Sequence, residues 1–463
     1  MGDGTDSSRL TFLLNGQPAA IDSSSPSTML LDFLRDRGLT GAKEGCGEGE
    51  CGACAVVLTM PLAGGSEYRA VNSCLIPLAT IAGHEVLTVE GLARDGRLSH
   101  AQTAMASAGA SQCGYCTPGF VMSLFAEQYR PGRVDRCDPM ALAGNLCRCT
   151  GYRPIRDAAL SLGDPPPGLL LDRLARPTSP LAAVENDRFS RPTSVDACLA
   201  TLAALPQATL IAGGTDLGVE CNLKGRRFQH LVSVEAIDEL AAFEDADDHI
   251  RIGAALPLTD LGRRWMMAPM AVHEWLERFA SPLIRHRATL GGNLATASPI
   301  GDAAPLLAAL DASIEVAGPA GRRLVPITRF FTGYRETVMV HGELLTAIQI
   351  PKPLPGTIEF YKVAKRRLDD ISTVAAAFSM DWDESGRVSR ARFAFAGMAA
   401  TPVCVDEAET AVLGEIWNES AVERVQEAFD RTLTPISDYR GSRDYRLAVS
   451  KRLVERFWME HQA

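Results

Sequence analysis

The sequence predicts a multidomain α+β protein, and three observations carry that reading. The chain has 463 residues, which at about 150 residues per domain gives roughly three domains. Patterns for short strands alternate with patterns for helices along its length. The cysteines crowd one end: nine of twelve lie at positions 46, 51, 54, 74, 113, 116, 137, 147 and 149, and only Cys198, Cys221 and Cys404 follow.

Composition narrows the class. Apolar residues make up 46% and charged residues 22%, enough to bury real cores. The formal charge of −10, from 46 basic and 56 acidic residues, opposes a nucleic-acid or anionic-membrane partner, which calls for a basic face. The apolar stretch Ala303–Leu310 ends at Asp311, far short of the ~20 residues of a spanning helix. Met1–Asp6 has neither the basic nor the apolar region of a signal peptide, and Asp6 stands where a myristoylation signal wants Ser or Thr. The expected compartment is the cytoplasm, where clustered thiols point to metal rather than to disulfides.

Taken in order, residues 10–14 and 17–21 flank Asn15-Gly16, a two-residue hairpin signal. Ser27–Arg37 reads as a short helix through Leu30, Leu31 and Leu34. A loop rich in glycine and cysteine runs from Gly41 to Cys54, and strands are expected at Ala55–Thr59 and Glu85–Val89. The segment 95–165 reads as helical, with Thr117 as N-cap before Pro118 and with Asp138-Pro139 opening a helix over Met140–Leu146. Gly163–Gly168, with three consecutive prolines, starts an extended linker reaching to about Arg191. Ala208–Ala212, His230–Val234 and Leu306–Leu310 mark a region of alternating strands and helices, and Lys352–Gly356 marks a further break. The last hundred residues hold an alternating strand at Arg392–Ala396 and an amphipathic helix ending near Trp458. No internal repeat or low-complexity tract is present, no Ser-His-Asp or Cys-His arrangement is evident, and the eight histidines are scattered.

Cys46, Cys51 and Cys54 form C-x4-C-x2-C, and Cys74 completes a set of four. That spacing is the plant-type [2Fe–2S] pattern. Gly45, Gly47, Gly49 and Gly52 allow the loop to curl and turn its N–H groups toward sulfur. Zinc also suits four thiolates, although zinc knuckles usually pair two short C-x2-4-C spacings. Cys113, Cys116, Cys147 and Cys149 give C-x2-C followed by C-x-C, a second set for two bridged irons, with zinc again the alternative. Cys137 is left over and reads as a partly buried free thiol.

The strings QCGYCTPG (112–119) and GNLCRCTGYRPI (144–155), downstream of the plant-type loop, resemble the molybdenum hydroxylases: xanthine dehydrogenases, aldehyde oxidases and their bacterial relatives. The resemblance implies that Cys113, Cys116, Cys147 and Cys149 carry the cluster nearest molybdenum, with Gln112 near the pterin. It implies that Cys46, Cys51, Cys54 and Cys74 carry the cluster nearest flavin.

Thr209–Ala212 reads as a strand running into Gly213-Gly214-Thr215-Asp216, a turn able to present N–H groups to an anion. It is neither G-x-G-x-x-G nor a P-loop. Thr289-Leu290-Gly291-Gly292-Asn293 is a second such element; each alone is ordinary turn chemistry. Together they resemble the FAD domain of the same family. That resemblance implies FAD contacts at Leu210, Ile211, Ala212, Gly213, Gly214, Thr215, Asp216 and Leu217, then Phe279, then Thr289, Leu290, Gly291, Gly292 and Asn293, then Asp302, Leu345 and Lys362. Asp302 also reads as a helix N-terminal carboxylate before Ala303–Leu310. Lys365–Ile371 resembles the segment that governs access of NAD to the flavin, and its basic residues also read as a solvated face.

The resemblance implies a plant-ferredoxin-like (β-grasp) domain at 1–94, a helical [2Fe–2S] bundle at 95–165 and a linker at 166–190. A two-part α+β FAD-binding domain at 191–352 and a C-terminal α/β domain at 353–463 follow. No molybdenum domain is expected within the chain. It resembles the small subunit of the bacterial two-chain xanthine dehydrogenases, which implies a large molybdenum-cofactor partner, two copies of each chain, and NAD+ as acceptor. No residue of this chain is expected to be catalytic. The rivals are the matching subunit of an aldehyde or N-heterocycle hydroxylase, a zinc-stapled scaffold, and a stand-alone NADH-oxidising reductase.

Overall fold

The computed structural model describes residues 10–21, 25–133 and 136–461, so the reading of Met1–Asp6 falls outside it. The chain divides into two compact units, residues 1–237 with 281–288, and residues 238–280 with 289–463.

The first unit opens with β1 (Leu10–Leu14) and β2 (Gln17–Ile21), paired antiparallel across Asn15 and Gly16. Both turn residues take positive φ, 53° and 82°, the type I′ conformation whose twist suits a two-residue hairpin. α1 (Leu30–Asp36) follows, then β3 (Ala55–Leu62), β4 (Gly65–Asn72) and β5 (Glu85–Leu87). The strands form one sheet in the order β2-β1-β5-β3-β4, parallel only where β1 meets β5. Side chains of a strand alternate between faces, and β3 uses both. Val56 and Leu58 join Phe12, Leu14, Val86 and the α1 residues Leu30, Leu31 and Leu34, whereas Ala55 and Val57 pack with Phe120, Val121, Leu124 and Phe125. This is the expected ferredoxin-like sheet, with the helical module laid over its second face.

That module holds α2 (His100–Ser107), α3 (Thr117–Gln128) and α4 (Arg153–Ser161). The sequence signals misplace two starts. Thr117 is the first helical residue and Cys116 occupies the cap. Asp138 does cap, accepting from the Met140 N–H, but only a 3-10 turn over Pro139–Leu142 follows. The chain leaves helical geometry there, and the Leu146 N–H bonds the Cys51 carbonyl at 3.0 Å instead of continuing a helix.

The stretch read as linker is partly tied down. α5 (Leu169–Leu174) lies within it, the Tyr68 hydroxyl donates to the Leu170 carbonyl, and Arg173 pairs with Glu85. β6 (Val184–Glu185) and β7 (Phe189–Arg191) then start a second sheet; α6 (Val195–Ala204), β8 (Thr209–Ile211), α7 (Thr215–Lys224) and β9 (Leu231–Ser233) complete it. Its order is β6-β7-β9-β8, with the last three strands parallel.

The second unit has an antiparallel five-stranded sheet whose centre is Leu344–Pro351 between His249–Gly253 and Ser313–Gly318. Leu306–Leu310 falls on a helix, Ala303–Ala309. A four-stranded antiparallel sheet follows, Thr357–Val363, Val374–Trp382, Val388–Ala396 and Val403–Cys404, starting just past the Lys352–Gly356 break. Its core is aromatic: Phe378 meets Phe393, Phe395, Phe429 and Phe457 at centroid distances of 5.4, 5.4, 6.4 and 5.8 Å. Phe457 comes from Arg443–Glu460, the helix expected near Trp458, and Phe429 from Glu419–Thr432, which the sequence reading did not resolve. Among the described residues, no helix is long and apolar enough to cross a membrane.

Candidate cofactor sites

The first four cysteines sit as two pairs. Cys46 and Cys51 perturb each other's thiols, and the Cys54 and Cys74 sulfurs lie 3.3 Å apart. The Glu48 and Cys51 N–H groups both donate to Cys46 Sγ, at 3.5 and 3.4 Å. The Cys51 partner and these N–H groups outweigh burial and bring the Cys46 thiol down to about 5. Three of the four loop glycines have positive φ; Gly45 does not, and a Cβ there would come within 2.7 Å of Cys51 Sγ. Its small size makes room for sulfur rather than for an unusual backbone. Three asparagines that the sequence reading passed over brace this loop. Asn72 donates to the Gly49 carbonyl at 2.9 Å, and Asn222 of α7 donates to the carbonyls of Gly47 and Cys74 at 2.7 and 2.8 Å. Asn145 donates to the Gly52 carbonyl at 3.2 Å.

In the second set Cys113 and Cys149 perturb each other's thiols, as do Cys116 and Cys147. The Tyr115 N–H first, then Cys149, lower the Cys113 thiol. Burial pushes Cys116 up to about 12. Cys147 receives the Thr150 N–H at 3.5 Å, and the Tyr115 hydroxyl donates to the Glu44 carbonyl. All eight are free thiols. Among the described residues, no three or more His, Cys, Asp or Glu side chains converge where a single ion would sit. Four thiols in each set, with backbone N–H groups aimed at Cys46 and Cys147, suit the sulfur ligation of a [2Fe–2S] cluster. Cys137 stays apart, buried with its sulfur 3.2 Å from Arg133. Gln112 is exposed beside Cys113.

The Gly213-Gly214 turn lies in the first unit. Gly214 has φ +78° and caps α7, leaving Leu210, Ile211 and Ala212 on or just after β8 and Thr215, Asp216 and Leu217 in the first helical turn. Gly213 packs against the Arg287 carbonyl, where a Cβ would come within 1.9 Å. Arg287 is fixed from its other end by Glu235, Nη1 to Oε1 at 2.8 Å, with His84 at 3.5 Å. Burial favours the neutral acid, but Arg287, His84 and Arg191 outweigh it and hold the Glu235 carboxyl far below its ordinary 4.5. A depressed folded value means that this stabilisation is complete above about pH 4.5 and is lost as pH falls further. Melting curves at about pH 7 and pH 3 should therefore show an acid-side loss that Glu235→Gln reduces by on the order of 1–3 kcal/mol. Equal pH dependence in the two proteins would refute the assignment.

The remaining flavin candidates belong to the second unit. Thr289 caps Leu290–Ala295, its hydroxyl accepting from the Gly292 N–H at 3.0 Å, so Leu290, Gly291, Gly292 and Asn293 form the opening turn of a short helix. A Cβ on Gly291 would meet Ala254 at 2.6 Å. Asp302 precedes Ala303–Ala309 but makes no side-chain cap. One of its oxygens takes Lys362 Nζ at 2.7 Å and the other the Ser372 hydroxyl at 2.6 Å. Lys362 also donates to the Arg278 carbonyl at 3.0 Å, one residue before Phe279, whose ring meets Trp275 edge-on at 5.5 Å. The structure thus brings Asp302, Lys362 and the backbone beside Phe279 into one buried group. Leu345 is buried in the sheet opposite Val316. Lys365, Arg366 and Arg367 are exposed.

Four family models match in tandem. They are the 2Fe-2S iron-sulfur cluster binding domain at residues 12–79, the [2Fe-2S] binding domain at 88–160, the FAD binding domain in molybdopterin dehydrogenase at 184–353, and the CO dehydrogenase flavoprotein C-terminal domain at 359–461. Xanthine dehydrogenase 1 of Arabidopsis thaliana is 32% identical over 99% of this chain, and xanthine dehydrogenase of Drosophila pseudoobscura pseudoobscura is 34% identical over 91%. The chain spans 40% and 37% of their lengths. Among solved structures, carbon monoxide dehydrogenase from Hydrogenophaga pseudoflava aligns with a TM-score of 0.54 and 29% identity, over 60% of this chain and 96% of that one.

Proposed function

Because the chain belongs to the molybdenum hydroxylase family and carries its two iron–sulfur modules and its flavin module, we propose that it is the electron-transfer subunit of a two-chain xanthine dehydrogenase. The partner is a large subunit holding the molybdenum cofactor, where hypoxanthine and xanthine are oxidised to urate. The acceptor is NAD+, the assembly has two copies of each chain, and the compartment is the cytoplasm. The alignment of 99% and 91% of this chain with part of two xanthine dehydrogenases supports the purine reading. The observation that carries the electron-transfer reading is the gathering of eight free thiols into two sets of four, one in each matched iron–sulfur module.

Cys113, Cys116, Cys147 and Cys149 are the proposed ligands of one cluster, and Cys46, Cys51, Cys54 and Cys74 those of the other. Leu210–Leu217, Phe279, Thr289–Asn293, Asp302, Leu345 and Lys362 are the proposed FAD residues. When bound, two-iron clusters carry single electrons, and FAD gathers them into the pair that a hydride acceptor needs. The protein's part is to hold and tune. Backbone N–H groups aimed at Cys46 and Cys147 stabilise thiolate charge, and burial of Cys54 and Cys74 keeps water from that sulfur. Gln112, Tyr115, Leu146 and Tyr152 are exposed around the second set and offer the partner a polar and apolar face.

Purified chain is expected to be coloured, to bleach with anaerobic dithionite, and to contain about four irons and one FAD. Colourless protein with bound zinc would refute the reading. With the partner present, hypoxanthine and xanthine should bleach the flavin. Bleaching by an aldehyde or another heterocycle, but not by purines, would move the substrate to that class.

A further inference from the structure

The two cysteine sets meet through backbone. The Cys51 carbonyl accepts the Leu146 N–H at 3.0 Å, which joins a residue of the first set to the neighbour of Cys147 in the second. The contact is tight: a Cβ on Gly52 would lie 2.3 Å from the Gly144 carbonyl, and one on Gly119 would lie 2.1 Å from the Gly52 carbonyl. One side chain fastens it. Asn145 is buried; its amide nitrogen donates to the Gly52 carbonyl at 3.2 Å, and its amide oxygen accepts the Ser123 hydroxyl at 2.7 Å. Ser123 is buried on α3, whose first turn contains Gly119. The amide can face only one way, because a carbonyl at Gly52 requires a donor.

We infer that Asn145 is the positioning residue for electron passage between the two clusters: it clamps Cys51–Gly52 to Leu146–Cys147 and so sets the separation across which the electron moves. The inference rests on the cluster assignment proposed above. Each passage oxidises one cluster by a single electron and reduces the other by one, with no bond made or broken and no proton moved. A buried amide with both ends bonded suits this role, since a half-satisfied polar group would cost stability without fixing geometry. Neither neighbouring glycine can substitute for it, because glycine brings the backbones close but holds nothing in register.

The test compares native full chain with Asn145→Asp, Asn145→Ala and Ser123→Ala. Asn145→Asp matches the native shape but turns a carboxylate oxygen toward the Gly52 carbonyl. Ser123→Ala leaves the Gly52 bond but removes the hydroxyl that holds the amide oxygen, so the clamp is loosened rather than lost. Each protein is reduced fully with dithionite, which supplies the electrons, and read by electron paramagnetic resonance alongside iron content and melting temperature. The native chain should show mutual magnetic splitting of two reduced clusters. Both Asn145 variants should lose it in molecules that retain four irons, with a smaller loss in Ser123→Ala. Should the Asn145 variants fail to fold, unchanged splitting in Ser123→Ala overturns the inference. Full splitting in loaded Asn145→Asp or Asn145→Ala, whatever their melting temperature, overturns it as well. Native protein without iron would defeat the cluster assignment itself, a failure that the iron analysis separates from the first.

Discussion

Gly213→Ala is expected to strip the chain of flavin and to destabilise the first unit by about 3 kcal/mol, the upper end of what overpacking against an immovable neighbour costs. The obstacle is backbone, the Arg287 carbonyl at 1.9 Å from the added carbon, so no side-chain rotation relieves it. Arg287 cannot easily withdraw, because its guanidinium is held by Glu235. The β8–α7 turn must therefore open, and it carries the proposed FAD residues Leu210–Leu217. Gly225→Ala supplies the comparison. Gly225 has φ +66° with no atom near its missing Cβ, so its cost is backbone strain alone, roughly 1–2 kcal/mol. Melting temperature and bound FAD should both fall further for Gly213→Ala. If the two variants melt together and keep equal flavin, the close approach does not govern the turn.

Asp302→Ala should cost roughly 3–5 kcal/mol, since it leaves the Lys362 ammonium buried with no counter-charge. The Ser372 hydroxyl loses its acceptor at the same time. Adding Lys362→Met removes the stranded charge and should recover most of the melting temperature, because apolar replacements of buried pairs are often near neutral. Flavin separates the two roles these residues carry. If Asp302 and Lys362 contact FAD, the double variant is stable and flavin-poor. A stable double variant with full flavin would make the pair purely structural, and a double variant no more stable than Asp302→Ala would remove the ion pair as the cause.

The elements readable from sequence are those specified locally. Asn15-Gly16 dictates its turn through φ alone, and the C-x4-C-x2-C loop advertises its ligands because one short segment supplies three of them. Asp138-Pro139 is the instructive failure. Its cap chemistry is real, yet the helix it announces does not form, because the Leu146 N–H has a distant partner in the Cys51 carbonyl. Asn145 stood within a recognised string and carried no local signal, since its partners lie 93 and 22 residues away. Asp302 was legible as an acidic residue before a helix, and both local expectations for it concerned that helix or the flavin. Its bonds to Lys362 and Ser372 span 60 and 70 residues, and only the fold brings them together.

The proline-rich passage between the helical module and the second sheet has a final consequence. A free tether of 25 residues would let its far end wander over about 25–30 Å and find its seat only part of the time. Here Leu170 and Arg173 are fastened to β4 and β5, and Arg191 reaches the Ala82 carbonyl at 2.7 Å. The strand that begins the flavin-module sheet is delivered to one address beside the ferredoxin-like domain. These bonds rather than chain length set the seat, so residues inserted in the mostly exposed stretch 176–183 would loop outward and leave that sheet where it is.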